Sequence, residues 1–253
     1  MKEKIAISIE RVILKKIDRL IEEERYKNRS NAIESMIRKQ LERDTKAVIL
    51  SGGSYEKNLE KGELKCLKRY KGRSVLDWQI STFKKQGFNS IYFIGAEKTI
   101  KEIIAKEGFN ITKKVEFVVD ETNQGNFSSL KNIKNKINDD FLVVYNDIFF
   151  DYDLKELLNF HRREKTLVSV ICTVSPEGKR KGEFVLRGDK IIDFSQKGGK
   201  GSHIFTGSIF AMSPEILDMK GKRIEEDLFP ELIKRKMLSG IILPGQRIHF
   251  QGE

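Results

Sequence analysis

The chain has 253 residues and a formal net charge of +11 at pH 7, from 48 lysines and arginines against 37 aspartates and glutamates. Its length suits one large domain, or a small domain with a medium one, and 39% hydrophobic residues are enough for a sizeable core. Two cysteines without metal-site spacing, and no apolar run near the roughly 20 residues of a membrane span, exclude a disulfide scaffold and a membrane protein and predict a cytoplasmic location.

The excess of positive charge has two interpretations. It is typical of a lysine-rich, solvated surface. It is also typical of a protein that binds a polyanion such as DNA or a nucleotide. Composition alone does not choose between them.

The first predicted element is a short strand. Residues 1–10 read MKEKIAISIE, in which Ile5, Ile7 and Ile9 alternate with polar or small residues. This period of two predicts a strand with one apolar face and one polar face. The charges within the segment argue against a signal peptide.

Two helices are predicted next, because the apolar residues change to helical spacing after Arg11. The stripe of the first helix consists of Val12, Ile13, Ile17, Leu20 and Ile21. The polar stretch EEERYKNRSN interrupts the pattern, and Ser30 within it is predicted to cap the second helix. The stripe of the second helix consists of Ala32, Ile33, Met36, Ile37 and Leu41.

A strand–helix–helix unit of this size cannot bury its apolar faces alone, and a single strand has two open edges. We therefore expect a twofold dimer in which two strands pair antiparallel above four helices. The outer face of the paired strands would carry two copies of Lys2, Lys4, Ala6 and Ser8.

The stretch EKIAISIERVILKKIDRLIEEERYKNRSNAIESMIRKQLE resembles the ribbon-helix-helix family of DNA-binding proteins, the CopG/Arc/MetJ type. In that family the paired strands enter the major groove, and the start of the second helix holds a phosphate. The resemblance implies that Lys4, Ala6 and Ser8 face the bases and that Lys2 also belongs to the DNA-binding residues. It implies a phosphate clamp of Asn28, Arg29, Ser30 and Asn31. Because Ala6 has no hydrogen-bonding group, the alternative is a module that only dimerises.

From Ala47 onward, apolar runs alternate with helical stretches. The runs read KAVILSG, SIYFIGA, VEFVVDE, DFLVVYND and TLVSVICTV. This order predicts an α/β domain with a mostly parallel sheet. Polar residues follow three of the runs, at Gly52-Gly53, at 121–125 and at Asn146-Asp147, where ligands of such sheets bind.

This second region resembles the nucleotide-sugar pyrophosphorylases, which are sugar-phosphate nucleotidyltransferases with a Rossmann-like fold. The resemblance rests on ILSGG, on FLVVYNDIFFDYDLKELLNFHRRE, and on the later segments FTGSIFAMSPEIL and EEDLFPELI. It begins near residue 46, so we predict a ribbon-helix-helix domain over 1–45 and a nucleotidyltransferase-like domain over 46–253.

The resemblance also implies the residues of a site. Lys65 and Asp147 would be catalytic, with Asp147 binding Mg²⁺. The nucleotide would lie against Ser51, Gly52, Gly53, Gln124 and Gly125. The sugar phosphate would lie against Glu183, Thr206 and Gly207.

Two departures from the family pattern concern catalysis. The family's Gly-x-Gly-Thr-Arg loop is replaced by Ser54-Tyr55-Glu56-Lys57, and no arginine follows the glycines before Arg69. The position of a second metal-binding aspartate falls on His249, and imidazole is a poorer magnesium ligand than carboxylate. Nearby lysines could compensate as point charges, without the fork of an arginine.

The sequence thus leaves three functions open. The chain is a DNA-binding regulator whose second domain senses a nucleotide, a sugar phosphate or a nucleotide sugar; or a magnesium-dependent nucleotidyltransferase with a dimerising or autoregulatory head; or a scaffold. The intact head and the altered loop favour the first.

Overall fold

The computed structural model describes residues 3, 5–23, 25–41, 45–122, 124–175 and 182–250. These residues divide into two compact units, Met1–Asp44 and Thr45–Glu253. Each unit has its own buried residues and is described separately below.

The first unit contains two helices, α1 (Arg11–Glu22) and α2 (Arg29–Leu41). Ile17 of α1 and Ala32 of α2 are its buried apolar side chains. Arg29 makes a two-pronged ion pair with Asp18, at 2.7 and 2.9 Å, and so ties the start of α2 to α1. This hydrogen bond and the opposite charge raise the pKa of Arg29 and lower that of Asp18.

The cap of α2 differs from the prediction. The Asn28 side-chain oxygen accepts the backbone N–H of Asn31 at 2.9 Å, which is the bond that an N-cap residue makes. Ser30 already lies within the helix. The predicted cap at Ser30 was wrong by two residues, because asparagine and serine cap equally well and the sequence offers both.

Residues 5–10 form no regular secondary structure in the single chain. Their isoleucines lie in the open: Ile5 is 75% and Ile7 53% exposed. A strand exists only through hydrogen bonds to a neighbouring strand, and within the described part of one chain this segment has no such neighbour. Pairing of this segment with the same segment of a second chain therefore stays a prediction.

The second unit is built from strands and helices in alternation. Its strands are β1 (Lys46–Leu50), β2 (Leu59–Glu60), β3 (Glu63–Leu64), β4 (Arg69–Tyr70), β5 (Arg73–Ser74), β6 (Ser90–Gly95), β7 (Glu116–Val119), β8 (Phe141–Tyr145), β9 (Ile148–Phe150), β10 (Val168–Val174), β11 (Glu183–Arg187), β12 (Lys190–Ser195), β13 (Ile204–Met212), β14 (Leu238–Ile242) and β15 (Arg247–His249). Its helices are α3 (Val75–Lys85), α4 (Glu97–Glu107), α5 (Asn126–Leu130), α6 (Leu154–Glu164) and α7 (Phe229–Lys234).

The main sheet has the strand order β10-β14-β12-β11-β13-β8-β1-β6-β7. Strands β8, β1, β6 and β7 are parallel, as predicted. Beyond β8 the sheet is mixed, because β13 runs antiparallel to both β8 and β10, and β11 and β12 form a hairpin. The α/β fold is therefore confirmed, and the expectation of a mostly parallel sheet holds only for the part that carries the amino-terminal half of the domain.

Core residues lie on both faces of this sheet. In β1, Ala47 and Ile49 belong to one apolar cluster, while Val48 and Leu50 belong to the other. Helices α3, α4 and α6 cover the first face, and α5 and α7 cover the second. A strand buried on both faces reads as a continuous apolar run, which is why β1 was evident in the sequence.

Among the described residues, no helix has the length and apolar character that crossing a membrane requires.

Candidate functional site

The ends of the parallel strands bring two of the predicted polar groups together. Leu50, the last residue of β1, lies beside Ile94 of β6 and Tyr145 of β8. Ser51 to Gly53 and Asn146-Asp147 therefore leave the sheet at the same edge. The backbone N–H of Asn146 donates to the carbonyl of Leu50 at 3.2 Å.

A buried hydrogen-bond network closes the loop after β1. Asn146 Nδ2 donates to Ser51 Oγ at 2.9 Å, and Ser51 Oγ donates to Asn58 Oδ1 at 2.9 Å. The Asn58 amide in turn donates to the Ser54 carbonyl at 3.0 Å. Asn58 was not predicted as a site residue, because nothing in its local sequence distinguishes it from a turn residue. Its hydrogen bonds to Ser51 and Ser54 hold the loop in a closed turn.

The glycines of this edge are required by close packing. A Cβ on Gly52 would lie 2.7 Å from the Cβ of Asn126, the first residue of α5. Gly125 has a φ of +140°, and its Cβ would lie 2.5 Å from the Lys222 carbonyl oxygen. Gly52 and Gly125 thus lie at one junction, and Gln124 beside them is exposed. Gly53 has a φ of +89°, which favours glycine in the turn.

Asp147 is the buried carboxylate of the site, 7% exposed. Strand β15 pairs antiparallel with β9 and brings His249 next to it, with 3.4 Å between His249 Nε2 and Asp147 Oδ2. Burial alone would raise the pKa of Asp147. The hydrogen bond from His249, together with the positive charges of His249, Lys65 and Arg247, outweighs burial and holds this pKa below its ordinary value.

Two basic side chains therefore act on Asp147. Lys65, the residue after β3, donates from Nζ to the Lys57 carbonyl at 2.9 Å. Arg247, the first residue of β15, donates from Nη2 to Ser208 Oγ at 3.0 Å. Lys65 was predicted as a site residue and Arg247 was not. Arg247 could have been predicted from the segment RIHF, because it stands two residues before His249.

The predicted sugar-phosphate residues Thr206 and Gly207 lie at an irregularity of β13. The register between β10 and β13 shifts between Val170 and Cys172. A Cβ on Gly207 would lie 2.5 Å from the Ile171 carbonyl oxygen. Ser208 follows with a φ of +60°, a strained value for a non-glycine residue, and it is the partner of Arg247. Bulges and strained residues of this kind are common beside active sites.

Glu183, the third predicted sugar-phosphate residue, has a different environment. Its carboxylate accepts the backbone N–H groups of Lys200, Ser202 and His203 at 2.6, 2.7 and 3.3 Å. These bonds hold the loop before β13. Glu183 is buried at the start of β11, so its observed role is to anchor this loop.

The donor set around Asp147 does not fit a magnesium ion. Magnesium prefers oxygen ligands, mainly carboxylates, waters and substrate phosphates. Within the described ranges, no group of three or more His, Cys, Asp or Glu side chains is placed to hold a metal. The neighbours that act on Asp147 are an imidazole and two cationic side chains, which would repel a divalent cation.

The predicted DNA-contacting residues belong to the first unit. Lys2 and Lys4 lie outside the described residues. Ala6 and Ser8 are exposed. The four predicted clamp residues, Asn28, Arg29, Ser30 and Asn31, form the exposed start of α2.

The first unit also has an apolar groove between residues 8–10, α1 and α2. It is lined by Ser8, Ile9, Glu10, Ile13, Ile17, Ile33, Met36 and Ile37. Ile13 and Ile37 are each 48% exposed there.

Known families match both units. The nucleotidyl transferase family matches residues 46–237. The ribbon-helix-helix transcriptional regulator family matches residues 1–62.

Curated relatives resemble the second unit. A putative mannose-1-phosphate guanyltransferase of Sulfolobus acidocaldarius is 26% identical over 197 residues, which cover 74% of this chain and 54% of the relative. The mannose-1-phosphate guanyltransferase of Saccharomyces cerevisiae is 30% identical over 159 residues, 58% of this chain and 43% of the relative. The chain thus spans about half the length of these relatives.

Among solved structures, a putative glucose-1-phosphate thymidylyltransferase from Bacillus anthracis has the same fold. It superposes with a TM-score of 0.70 over 81% of this chain and 89% of that chain, at 18% identity.

Proposed function

The chain belongs to the nucleotidyl transferase family and carries a ribbon-helix-helix domain, and from this premise we propose that it is a DNA-binding transcriptional regulator. In this proposal the first domain binds DNA as a dimer. The second domain binds a nucleotide, a sugar phosphate or a nucleotide sugar and changes the DNA affinity of the first.

The observation that carries the proposal is the loop after β1. Asn58 closes this loop through Ser51 and Asn146, and within the loop Ser54 to Lys57 stand in place of the Gly-x-Gly-Thr-Arg of the family pattern. Phosphoryl transfer depends mainly on positioned positive charge. Loss of one preorganised donor of this kind costs on the order of 10²–10³ in rate. The fold is retained while a main catalytic part is absent, which favours binding over turnover.

The relatives' names suggest which ligands to try first. Guanyltransferases that act on mannose 1-phosphate handle GTP, mannose 1-phosphate and GDP-mannose. We therefore propose these three compounds as first probes of the second domain. The glycine junction at Gly52 and Gly125 would receive the nucleotide, and the irregularity of β13 at Thr206 and Gly207 would receive the sugar phosphate.

The first domain would read DNA by its paired strands. Ala6 and Ser8 would face the bases, with Lys2 and Lys4 of the same segment. The start of α2 at Asn28 to Asn31 would hold a backbone phosphate, because N–H groups at a helix start attract anions. A ligand of the second domain can alter DNA binding only if it binds the DNA-competent and DNA-incompetent dimers with different affinities.

The alternative is an active enzyme that transfers a nucleotidyl group to a sugar phosphate and releases pyrophosphate. Members of the nucleotidyl transferase family generally use magnesium, and in this alternative Mg²⁺ would bind Asp147. Lys65 and the relatives' names favour it. The cationic surroundings of Asp147 speak against it.

One pair of measurements separates the two functions. We expect GTP, GDP-mannose or mannose 1-phosphate to raise the melting temperature of the purified protein, since a bound ligand adds about 3 kcal/mol of stability at a hundredfold excess over Kd. We expect no pyrophosphate from GTP and mannose 1-phosphate with magnesium. Rapid pyrophosphate release that Asp147→Ala abolishes would establish the enzyme instead.

DNA binding is tested with a fragment from upstream of the protein's own gene. The affinity should fall steeply with salt, because phosphate contacts release counterions. Arg29→Gln should weaken it, whereas Arg235→Gln, the same charge change on an exposed arginine of the second unit, should not. Equal binding by both variants would contradict the phosphate clamp.

A further inference from the structure

Arg247 and Lys65 come from parts of the sequence that are far apart. Lys65 follows the β2–β3 hairpin, whereas Arg247 opens β15, which docks on β9 beside Asp147. Both charges act on the Asp147 carboxylate. Because a single carboxylate stands against the charges of one arginine and one lysine, the cluster has an excess of positive charge.

Arg247 is held in place before any ligand arrives. Its Nη2 donates to Ser208 Oγ, and Ser208 is fixed at a strained φ of +60° by the irregularity of β13. The guanidinium is a rigid fork that matches the oxygens of a phosphate. Arg247 and Lys65 are both partly exposed, so the cluster is open to a ligand.

A magnesium ion normally links a carboxylate of such a site to the phosphates of the ligand. Beside the Asp147 carboxylate the chain itself supplies an imidazole, and two cationic side chains act on the same carboxylate. His249 Nε2 lies 3.4 Å from Asp147 Oδ2. The charges of Lys65 and Arg247 act on the same carboxylate.

We propose that Arg247 and Lys65 bind the phosphate of the ligand directly, so that the second domain binds its ligand without a divalent metal. This inference rests on the proposed function, in which that domain binds a phosphate-bearing ligand. Asp147 and Ser208 then act as positioning residues that orient the two cations. The site is a metal-independent receptor for a phosphate or diphosphate group.

The test is isothermal titration calorimetry on the full chain with GTP, GDP-mannose and mannose 1-phosphate, in excess EDTA and in excess magnesium. For any probe that binds, we expect the Kd in EDTA to agree with the Kd in magnesium within about threefold. Arg247→Gln should weaken binding about tenfold to a hundredfold in EDTA, because it removes charge-assisted hydrogen bonds. Arg247→Lys should fall between wild type and Arg247→Gln.

Controls keep the result interpretable. Lys65→Gln, at a partly exposed position, gives a second weakening variant if Arg247→Gln unfolds. Arg163→Gln, at an exposed arginine of α6, should leave every Kd unchanged. Melting curves of all variants exclude global unfolding as the cause.

Each other outcome overturns a definite statement. Binding that requires magnesium overturns the metal-independent site and leaves the sensing function intact. Metal-free binding that neither Arg247→Gln nor Lys65→Gln weakens overturns the assignment of these residues. Absence of binding in both buffers overturns the sensing function, and the inference with it.

Discussion

Asn58 organises the turn after β1 through side-chain hydrogen bonds. Its Oδ1 accepts a hydrogen bond from Ser51 Oγ, and its Nδ2 donates one to the Ser54 carbonyl. These hydrogen bonds hold the turn after β1. A polar residue at the centre of a buried network is expensive to remove, because its partners then lose their hydrogen bonds without regaining water.

We therefore expect Asn58→Ala to lower the free energy of unfolding by about 1–3 kcal/mol. Urea unfolding followed by circular dichroism measures this change. Asn135→Ala, at an exposed asparagine, is the control and should change stability by less than about 0.5 kcal/mol. If the two variants were equally stable, Asn58 would not hold the loop.

Single residues differed in how far the sequence predicted them. Ser51, Gly52 and Gly53 were evident because they follow an apolar run and stand at its end. Asn58 and Arg247 were not, because their roles arise from contacts with residues far along the chain. Which distant residues come into contact depends on the sheet topology, and local sequence patterns do not show that topology.

At the scale of elements, α6 carries a buried histidine outside the site. His161 is 1% exposed, and its ring nitrogens lie 2.8 Å from Ser169 Oγ and 3.0 Å from Ser213 Oγ. Burial lowers the pKa of His161 from its ordinary 6.5. The charge of Asp140 opposes this effect, while Arg162 adds to it. Folding therefore favours the neutral ring.

The sign of the resulting pH dependence is definite. As the pH falls through 6.5, the unfolded chain takes up a proton at His161 before the folded protein does, so stability is lost below pH 6.5 until the lowered folded pKa is reached. The slope from one such group is at most about 1.4 kcal/mol per pH unit. Urea unfolding of wild type and His161→Gln between pH 7.5 and 5 should show a steeper loss for wild type. Parallel curves would contradict this prediction.

The strands of the second unit differ in how well the sequence predicts them. Strands β1, β6, β7, β8 and β10 were predicted because they are apolar runs of strand length. The β11–β12 hairpin is less apolar and was not predicted. For this reason the antiparallel part of the sheet was not predicted either. The two-residue strands β2 to β5 are too short to form any period.

At the scale of the whole molecule, the first unit exposes several isoleucines, which the predicted dimer would cover. Ile13 is 48% exposed and lines the apolar groove beside residues 8–10. The ribbon-helix-helix family was recognisable from the period change within this unit. The dimer stays a prediction, since its strands pair only between chains.

Ile13→Asp should convert the full chain from dimer to monomer, because a carboxylate buried in an apolar interface loses its hydration. Sedimentation equilibrium at micromolar concentration measures the mass. Lys15→Asp introduces the same group at an exposed position of α1 that does not line the groove, and it should remain dimeric. A monomeric wild type, or a dimeric Ile13→Asp variant, would refute dimerisation through this groove.

The docking of β15 on β9 has a consequence for incomplete chains. Lys65 and Asp147 are synthesised long before Arg247 and His249, so during translation the ligand site is assembled only when β15 has left the ribosome. In the proposed function, a product of premature termination or of proteolytic cleavage before Arg247 would keep the DNA-binding domain and lose part of the ligand site. In this proposal such fragments would bind DNA without responding to the ligand, and their removal by the cell would affect how accurately the gene is controlled.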